Sequence, residues 1–438
     1  MNIDLKNRFI QCVDKKNIKK AELFYQEVEK VHLSISGGDI ERFQSSKESG
    51  YSVRVIKNNR HGFSYANNIE KMEDILDKAI NSAEVLSEDN NWTFVENVIC
   101  KDENFYRDEP SIREKIDTLK EVEKQIYAKD KRIKSIREVT YEFYKVRVNI
   151  LNSLGSELEY NYQYQYVYTE VGASDGKDER GSWEFKVGKT WYDLDFNDLI
   201  SKSVWKAISL LGAKPISSQR AVVILPRERA QDLLEVFVQA FSADMVQKGK
   251  SIFKNKIGEK IASEKLTIIE DPNLEEAFLR RKFDDEGIFT KSKEIVKDGK
   301  LNSFLHNLYT ANKDNVKSTG NCVRGSYKNL PGVGAFNLFI KPGEKSEEEI
   351  IKSTKDGLYV FNLMGLHLID PISGDFSIGA DGLWIKDGEF VGPVCEITIS
   401  GNLKDFLQSV SEVSKEITFN GTVVSPMLKL EDIMLAGK

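Results

Sequence analysis

Apolar and polar positions follow two different periods along the first 90 residues. Charged residues recur at helical spacing from residue 5 to residue 30 and again in IEKMEDILDKAINSAEVL, which predicts a helix in each place. Between them, VHLSISGGDIERFQ and SGYSVRVIKNNRHGFSYAN alternate with a period of two around turns at Gly37-Gly38 and Asn58-Asn59. The pattern predicts a small α+β unit over residues 1–90, which ends in the polar stretch SEDNNWTF.

Residues 91–215 show the same two periods and predict a central α+β domain packed with the first. SIREKIDTLKEVEKQIYAKD has helical spacing, with Ser111 placed as its cap and Glu114 three residues later, and FNDLISKSVWKAISLLGAK predicts a second helix. Between these helices lies a long strand series with six tyrosines from Tyr141 to Tyr166. The tyrosines fit either an aromatic binding platform or the half-buried face of an antiparallel sheet, and the pattern favours the sheet face.

The remaining residues, 216–438, open with the buried-strand pattern RAVVILP and continue into an apolar helix that contains LLEVFVQAF. Of the 29 glycines, 13 lie between Gly320 and Gly401, among short alternating runs such as DGLWIKDGEF, which predicts many tight turns between strands. We therefore expect an α+β fold with domains at 1–90, 91–215 and 216–438. The two N-terminal α/β-type units with antiparallel sheets precede a β-rich C-terminal domain.

Charge, apolar runs and cysteine spacing disfavour several classes of function. The 438 residues include 63 basic and 69 acidic side chains, a net charge of −6, without a long run of one sign. A nucleic-acid surface needs clustered Lys and Arg, so nucleic acid is not favoured as a partner. No apolar run approaches the roughly 18–20 residues of a membrane span, and no signal-peptide pattern is present, so we expect a cytoplasmic protein without membrane contact. The four cysteines form no CxxC pair and favour isolated reduced thiols.

Most short motifs fail as chemical sites. Gly249-Lys250-Ser251 lacks the glycine that a Walker loop needs five residues earlier, because Asp244 occupies that position. FDDEG at 283–287 and DGKDERG at 175–181 lack the alternating ligand spacing of a calcium loop, and we expect both to be solvated turns. The chain has only four histidines, none within five residues of another, so the sequence offers no histidine pair of metal-ligand spacing.

Several ordered blocks nevertheless resemble one family. They are QKGKSIFKNKIGEKIASEKLTIIEDP, FDDEGIFTKSKEIVKDGKL, STGNCVR, LFIKPGEKSEEEIIKSTKDGLYVFNLMG and SGDFSIGADGLWIKDGEFVGPVCEITISGNL, in this order. Together with YSVRVIKNNRHGFSYAN, they are similar to signature blocks of the TldD/PmbA family over nearly the whole chain. The resemblance implies that the chain belongs to one of two branches of this family. One branch contains TldD-like zinc metallopeptidases, and the other is the PmbA branch, also called TldE.

The resemblance also implies that the zinc site of the family is degenerate in this chain. In TldD-like members the helix before a Gly-x-Ser-x-Phe block, which Gly249-Lys250-Ser251 matches here, carries His-Glu-x-x-x-His, and a cysteine comes from near the C-terminus. Aligned on that block, the histidine positions fall on Leu234 and Gln239, and the glutamate position falls on Glu235. Leucine has no lone pair and a glutamine amide is a weak ligand, so we expect a degenerate metal site without catalytic residues. Glu235 is then most simply an ordinary charge at a helix edge or a salt-bridge partner.

Two further segments are similar to the PmbA branch. ITFNGTVVSPMLKLEDIMLAG contains no cysteine, and SGDFSIGADG resembles the corresponding PmbA block. Within the second segment, Gly374, Asp375, Phe376 and Ser377 are candidates for contact with a peptide or a partner. The resemblance implies that this chain binds no cofactor and that zinc belongs only to a TldD-like partner.

The family resemblance implies a noncatalytic subunit that pairs with a TldD-like metallopeptidase in a cytoplasmic complex. Such complexes degrade or mature unfolded or small peptides, so extended peptides are the expected substrates, and an unpaired copy is expected to form a homodimer. Two alternatives stay open. The chain could be a metallopeptidase in its own right through ligands that the sequence does not reveal. It could also act on gyrase or DNA without proteolysis, since the family also carries the name modulator of DNA gyrase.

Overall fold

The computed structural model describes residues 3–68, 72–103, 109–370 and 372–437. Its N-terminal half contains, in chain order, α1 (Ile3–Lys15), β1 (Lys20–Ser36), β2 (Asp39–Lys57), β3 (Arg60–Ala66), α2 (Met72–Glu84), β4 (Ile99–Glu103), α3 (Ile112–Lys129), β5 (Ile133–Asn152), β6 (Glu157–Ser174), β7 (Glu179–Gly188) and α4 (Phe196–Ser209). A short 3₁₀ turn, Trp191–Asp193, precedes α4.

One seven-stranded sheet runs through this half of the chain. Its order is β3-β2-β1-β5-β6-β4, with β7 also paired to β6. The pairs are antiparallel except for β4 and β6, which run parallel. Strands β1 and β5 pair from Glu22 to Ile35 of β1, so the segments 1–90 and 91–215 contribute neighbouring strands to the same sheet.

The helix expected over residues 5–30 is wrong in its second half, because α1 ends at Lys15 and most of the remaining segment belongs to β1. The start of β1 is buried on both faces of the sheet. Ala21 and Leu23 pack with α1 and α2, whereas Phe24 packs with side chains of the C-terminal half. Burial on both faces removes the alternation by which a strand is recognised, and the spacing of the charges then imitates a helix.

Helices cover one face of this sheet at both ends. α1 and α2 pack on the end that holds Leu23, and α3 and α4 pack on the end that holds Leu33. The cap predicted for α3 is confirmed: Ser111 Oγ accepts the N–H of Glu114 at 3.3 Å, and the Glu114 carboxylate accepts the N–H of Ser111 at 2.7 Å.

The C-terminal half is mainly β-structure. It contains, in chain order, β8 (Gln219–Leu225), α5 (Arg227–Ala240), α6 (Ala243–Gln247), β9 (Ile268–Glu270), β10 (Lys293–Lys297), β11 (Lys300–Leu301), α7 (Leu308–Lys313), β12 (Cys322–Val323), β13 (Gly332–Val333), β14 (Leu338–Ile340), α8 (Glu347–Lys352), β15 (Asp356–Met364), β16 (Asp375–Lys386), β17 (Glu389–Asn402), α9 (Leu403–Gln408), β18 (Val410–Val413), β19 (Val423–Val424) and β20 (Leu428–Ala436). A 3₁₀ turn lies at Leu366–Leu368.

Five of these strands close into a ring. The order β17-β16-β15-β8-β20 is completed by a further pairing of β17 with β20, and β18 adds to β20. A second sheet has the order β11-β10-β9-β14-β19. The largest apolar cluster of the protein extends from the ring through α5 to this second sheet. The expected α+β class with a β-rich C-terminal half is confirmed. Within the described ranges, no helix is both long and apolar enough to span a membrane.

A buried network of ion pairs joins the N-terminal sheet to the C-terminal half. Arg54 on β2 donates two hydrogen bonds of 2.8 Å to Glu22 on β1. Arg324, which follows β12, also donates to Glu22, and Arg54 lies 3.5 Å from Glu286. None of these four side chains is more than 3 % exposed. Burial alone would raise the pKa of Glu22, but Arg324 and Arg54 lower it to about 2, so the network stays ionised.

The acidic loop 283–287 is buried, so the expectation of a solvated turn is wrong for it. Asp285 accepts hydrogen bonds from Tyr160 of β6 at 2.7 Å and from Arg281 at 2.6 Å. Asp284 accepts three backbone N–H groups, including that of Cys322 at 2.9 Å. The partners of this loop come from distant parts of the chain, which local spacing does not reveal. In contrast, residues 175–177 are exposed, as expected.

We expect Arg54→Met to lower the free energy of unfolding by about 3–5 kcal/mol, because it removes one of the two guanidinium partners of the buried Glu22 and the guanidinium that faces the buried Glu286. Lys57→Met is a matched control on the same strand. Its partly exposed pair with Glu84 should contribute less than about 1 kcal/mol. Urea unfolding followed by circular dichroism measures both changes. Equal losses in the two variants would contradict the structural role assigned to the network.

The buried loop also predicts a pH dependence. Burial and the neighbouring Glu286 raise the pKa of Asp284 to about 7, so the folded protein holds this proton more tightly than the unfolded chain. The resulting stability is fully present below the aspartate pKa of the unfolded chain, about 4, and is lost as the pH rises through 7. We expect the wild type to lose free energy of unfolding relative to Asp284→Asn as the pH rises from 5 to 8. Urea titrations at both values test this, and a constant difference would contradict it.

Candidate functional site

Helix α5 places the three expected metal-site positions on different sides. Leu234 is 2 % exposed and belongs to the large apolar cluster. Glu235 and Gln239 lie on the exposed side of the helix. The first histidine position is therefore filled by an apolar core side chain, while the other two positions face away from the core.

Gly249-Lys250-Ser251 closes the end of α5 against the core. Ser251 Oγ donates a hydrogen bond of 2.6 Å to the carbonyl oxygen of Ala240, the last residue of α5, and accepts the N–H of Phe253 at 3.1 Å. The Phe253 ring then stacks on Phe237 with a centroid distance of 6.4 Å. The segment is thus a structural support of the helix.

Glu235 has polar neighbours on its own helix. Gln231 Nε2 donates to its carboxylate at 3.4 Å. Partial burial and the nearby Asp232 raise the pKa of Glu235, against the effect of the Gln231 hydrogen bond. Asp232 itself pairs with Arg229 at 3.1 Å. A bound cation at Glu235 would instead lower this pKa.

The side chains at these positions do not fit a zinc ion. A catalytic zinc needs three nitrogen, sulfur or oxygen ligands around an open position, and Leu234 offers no lone pair. Positions 234 and 239 are also about 140° apart around an ideal helix. In the part of the chain that the structure describes, no group of three His, Cys, Asp or Glu side chains is arranged to hold a metal ion.

The segment around Thr418 and Gly421 lies against α5. Arg227 in the first turn of α5 donates to Thr418 Oγ1 at 2.6 Å, and Gly421 approaches Gln231 closely. A polar cavity of about 350 Å³ opens here between the two halves of the chain. Burial would raise the pKa of Glu228 in its wall, but Lys202 of α4 and Lys206 lower it to about 2.

The segment 374–377 lies elsewhere, at the start of β16. Asp375 accepts a hydrogen bond from Asn402 at 2.9 Å, and the buried Phe376 packs edge-on against Phe406 at 5.9 Å. Gly374 has a φ of +83° at the turn before the strand, and Ser377 is exposed. Phe376 lines a surface groove of about 550 Å³ whose lining includes no residue of α5. The structure therefore does not bring this segment together with the metal-site positions.

Sequence reasoning missed two contacts beside α5. Arg229 is buried and its guanidinium lies 4.9 Å from the centre of the Trp183 ring on β7. Asn362 on β15 donates to both carboxylate oxygens of Asp381 on β16, at 2.8 and 3.1 Å. Burial raises the pKa of Asp381. The blocks that carry Asn362 and Asp381 were visible in the family signature, but Arg229 and Trp183 offered no sequence signal.

Three family models match consecutive parts of the chain. They describe PmbA/TldA metallopeptidase domain 1 at residues 21–85, the central domain at 106–211 and the C-terminal domain at 218–437. A metalloprotease of Methanocaldococcus jannaschii is 30 % identical over 401 residues, which cover 88 % of this chain and 87 % of that protein. Metalloprotease PmbA of Escherichia coli O157:H7 is 26 % identical and covers 95 % of this chain and 92 % of its own length.

Solved structures share the whole fold. The crystal structure of a candidate modulator of a DNA gyrase from Thermotoga maritima has a TM-score of 0.88 and 28 % identity, and covers 99 % of each chain. TldE from Thermococcus kodakarensis has a TM-score of 0.86 and 24 % identity over 99 % of this chain and 100 % of that one, which bears on the fold alone. With all three family domains matched in order, the chain belongs to the PmbA/TldD metallopeptidase family and resembles its PmbA branch.

Proposed function

We propose that this chain is a noncatalytic subunit that pairs with a TldD-like metallopeptidase to degrade or mature small or unfolded peptides in the cytoplasm. The observation that carries the proposal is the burial of Leu234 in the core at the first metal-ligand position of α5. Hydrolysis by a zinc enzyme depends on a metal-bound water of lowered pKa. Glu235, without such a water, has no nucleophile to activate.

The intact scaffold supports a role that does not need chemistry. α5, the Gly-Lys-Ser support and the C-terminal segment against the helix are all present. A subunit that keeps this architecture can shape a cleft for a partner's active site. We propose that zinc belongs to that partner and that this chain binds no cofactor.

The long open sheet of the N-terminal half has an exposed edge that suits the binding of unfolded peptides. Among the described residues, β3 pairs with β2 only from Tyr51 onward, and the preceding residues 39–48 are exposed. An extended peptide gains backbone hydrogen bonds along such a sheet edge, with little dependence on its side chains. Folded proteins lack an extended segment and would be excluded.

One alternative has an observation in its favour. The named relatives include metalloproteases, which suits an enzyme that is active on its own. A role on gyrase or DNA is suggested by the name of the Thermotoga protein, but a net charge of −6 gives it no electrostatic support.

The role of Glu235 separates a noncatalytic subunit from an independent enzyme. We expect the isolated chain to cleave no peptide and to bind no stoichiometric zinc. In the complex with a TldD-like subunit, Glu235→Gln should leave peptide cleavage within about twofold, because the carboxylate activates no water. Glu-to-Gln at the corresponding position of the partner is the matched control and should abolish cleavage. Loss of activity from Glu235→Gln in this chain, together with chelator-sensitive cleavage by the isolated chain, would make it the enzyme.

The proposal also predicts how the chain assembles. A subunit that completes a shared cleft needs a large contact surface, and an isolated copy would cover that surface by two-fold pairing. We expect a homodimer in isolation, built largely through the C-terminal half, with an interface above about 2,000 Å² in total. Addition of a TldD-like chain should convert it into a heterodimer. Sedimentation velocity measures both states. A chain that stays monomeric and does not bind the TldD-like chain at any concentration would count against the proposal.

A further inference from the structure

One face of the N-terminal sheet carries seven aromatic side chains on three neighbouring strands, here called the aromatic face. It consists of Tyr144 on β5, Tyr162, Tyr164, Tyr166 and Tyr168 on β6, and Trp183 and Phe185 on β7. The strand registers place Tyr144 opposite Tyr164 and Tyr168 opposite Phe185. Alternate residues of a strand share one face, so the seven side chains lie on the same side of the sheet. Each ring is half-buried.

The aromatic face continues a contact with the C-terminal half. Tyr160, the next ring along β6, is buried under Arg281, whose guanidinium lies 3.6 Å from the ring centre. Tyr164 meets Phe278 edge-on at 6.0 Å. At the other end, Trp183 lies under Arg229 of α5. The half-buried rings therefore lie between two points where the C-terminal half touches the sheet, and the second of these points is the helix with the degenerate metal-site positions.

The rings are spaced like alternate residues of an extended chain. Centroids of Tyr160, Tyr162 and Tyr164 follow one another at 6.3 and 6.4 Å, and their planes differ by only 12° and 16°. Two residues of an extended peptide span about 6.6 Å, so its alternate side chains match this spacing. From Tyr162 to Tyr168 the row covers six residue steps, which corresponds to about six residues of such a peptide.

The charges of the aromatic face are already neutralised. Glu142 on β5 pairs with Lys30 at 2.8 Å and with His32 Nδ1 at 2.8 Å, and it accepts a hydrogen bond from the Tyr144 hydroxyl. Burial would raise the pKa of Glu142, but hydrogen bonds from Lys30 and Tyr144 lower it to about 2. The cluster holds Tyr144 in place without leaving a free charge. Phosphate groups of a nucleic acid need clustered cations, so this face suits an uncharged ligand better.

We propose that the aromatic face binds an extended peptide with apolar or prolyl side chains at alternate positions. This inference rests on the proposed function, since it names the segment of substrate that the subunit holds. Aromatic rings stack on apolar and prolyl groups with little demand on sequence. The bound peptide would run along β6 toward Trp183 and the first turn of α5. This mode uses side-chain contacts and needs no backbone N–H of the peptide, unlike addition to a sheet edge.

Fluorescence anisotropy with the full-length chain tests the proposal. The probe is a fluorescein-labelled octapeptide of alternating leucine and proline, which has too few N–H groups to add as a strand. A Gly-Ser octapeptide is the probe control. We expect the double variant Tyr164→Thr/Tyr168→Thr to bind the Leu-Pro peptide about tenfold more weakly than the wild type, because two aromatic contacts are lost.

Two further variants keep the test decisive. Tyr164→Phe/Tyr168→Phe retains both rings and should bind within about threefold of the wild type, which separates stacking from hydroxyl contacts. Tyr192→Thr removes an exposed tyrosine outside the aromatic face and should bind as the wild type does. Circular dichroism checks that each variant is folded. If the Thr double variant does not fold, equal binding of the Leu-Pro and Gly-Ser peptides by the wild type overturns the proposal.

Three other results would also overturn it: undiminished binding by a folded Thr double variant, tighter binding of labelled oligothymidylate than of the Leu-Pro peptide, or conversion of a homodimer to monomers by the Thr double variant. The last result would assign the face to a subunit interface. Failure here is distinct from failure of the proposed function. A complex that cleaves peptides normally with the Thr double variant leaves the function in place and removes only the aromatic face. Leu-Pro binding by a chain that does not associate with a TldD-like chain at any concentration does the reverse.

Discussion

The structure depends on a small set of buried charges that join its two halves. Arg54, Glu22 and Arg324 come from two strands of the N-terminal sheet and from the segment after β12, and each is nearly inaccessible to solvent. Buried charges are tolerated only when they are paired in good geometry, so the sheet and the C-terminal half must meet in one arrangement. That arrangement also brings the loop 283–287 against Tyr160 and so fixes where the aromatic face begins.

Helix α5 shows how packing and chemistry compete for the same positions. Leu234 is buried in the apolar cluster that extends from the strand ring to the second sheet, while the neighbouring Glu235 lies on the exposed side of the helix. The end of α5 is held by the hydrogen bond from Ser251 to Ala240, and its first turn is held by the hydrogen bond from Arg227 to Thr418. Protein contacts alone make these supports, and they are compatible with the proposed role of a noncatalytic subunit.

The guanidinium of Arg229 over Trp183 connects the aromatic face to α5. Arg229 is buried and also pairs with Asp232, one turn before Glu235 on the same helix. A peptide bound on the aromatic face, as proposed, would thus end beside α5. The two proposals therefore concern neighbouring parts of the molecule.

Local pattern determined much of this protein from sequence alone: the cap of α3 at Ser111, the β-rich character of the glycine-dense C-terminal half, the family blocks, and the side chains at 234, 235 and 239. Each of these depends on neighbours within a few residues or on residue identity. Only the tertiary structure decided that residues 21–24 form a strand, that the loop 283–287 is buried, and that six clustered tyrosines divide between both faces of a sheet. The physical reason is distance along the chain: Arg54 and Glu286 are 232 residues apart, and burial by such partners leaves no period in the local sequence.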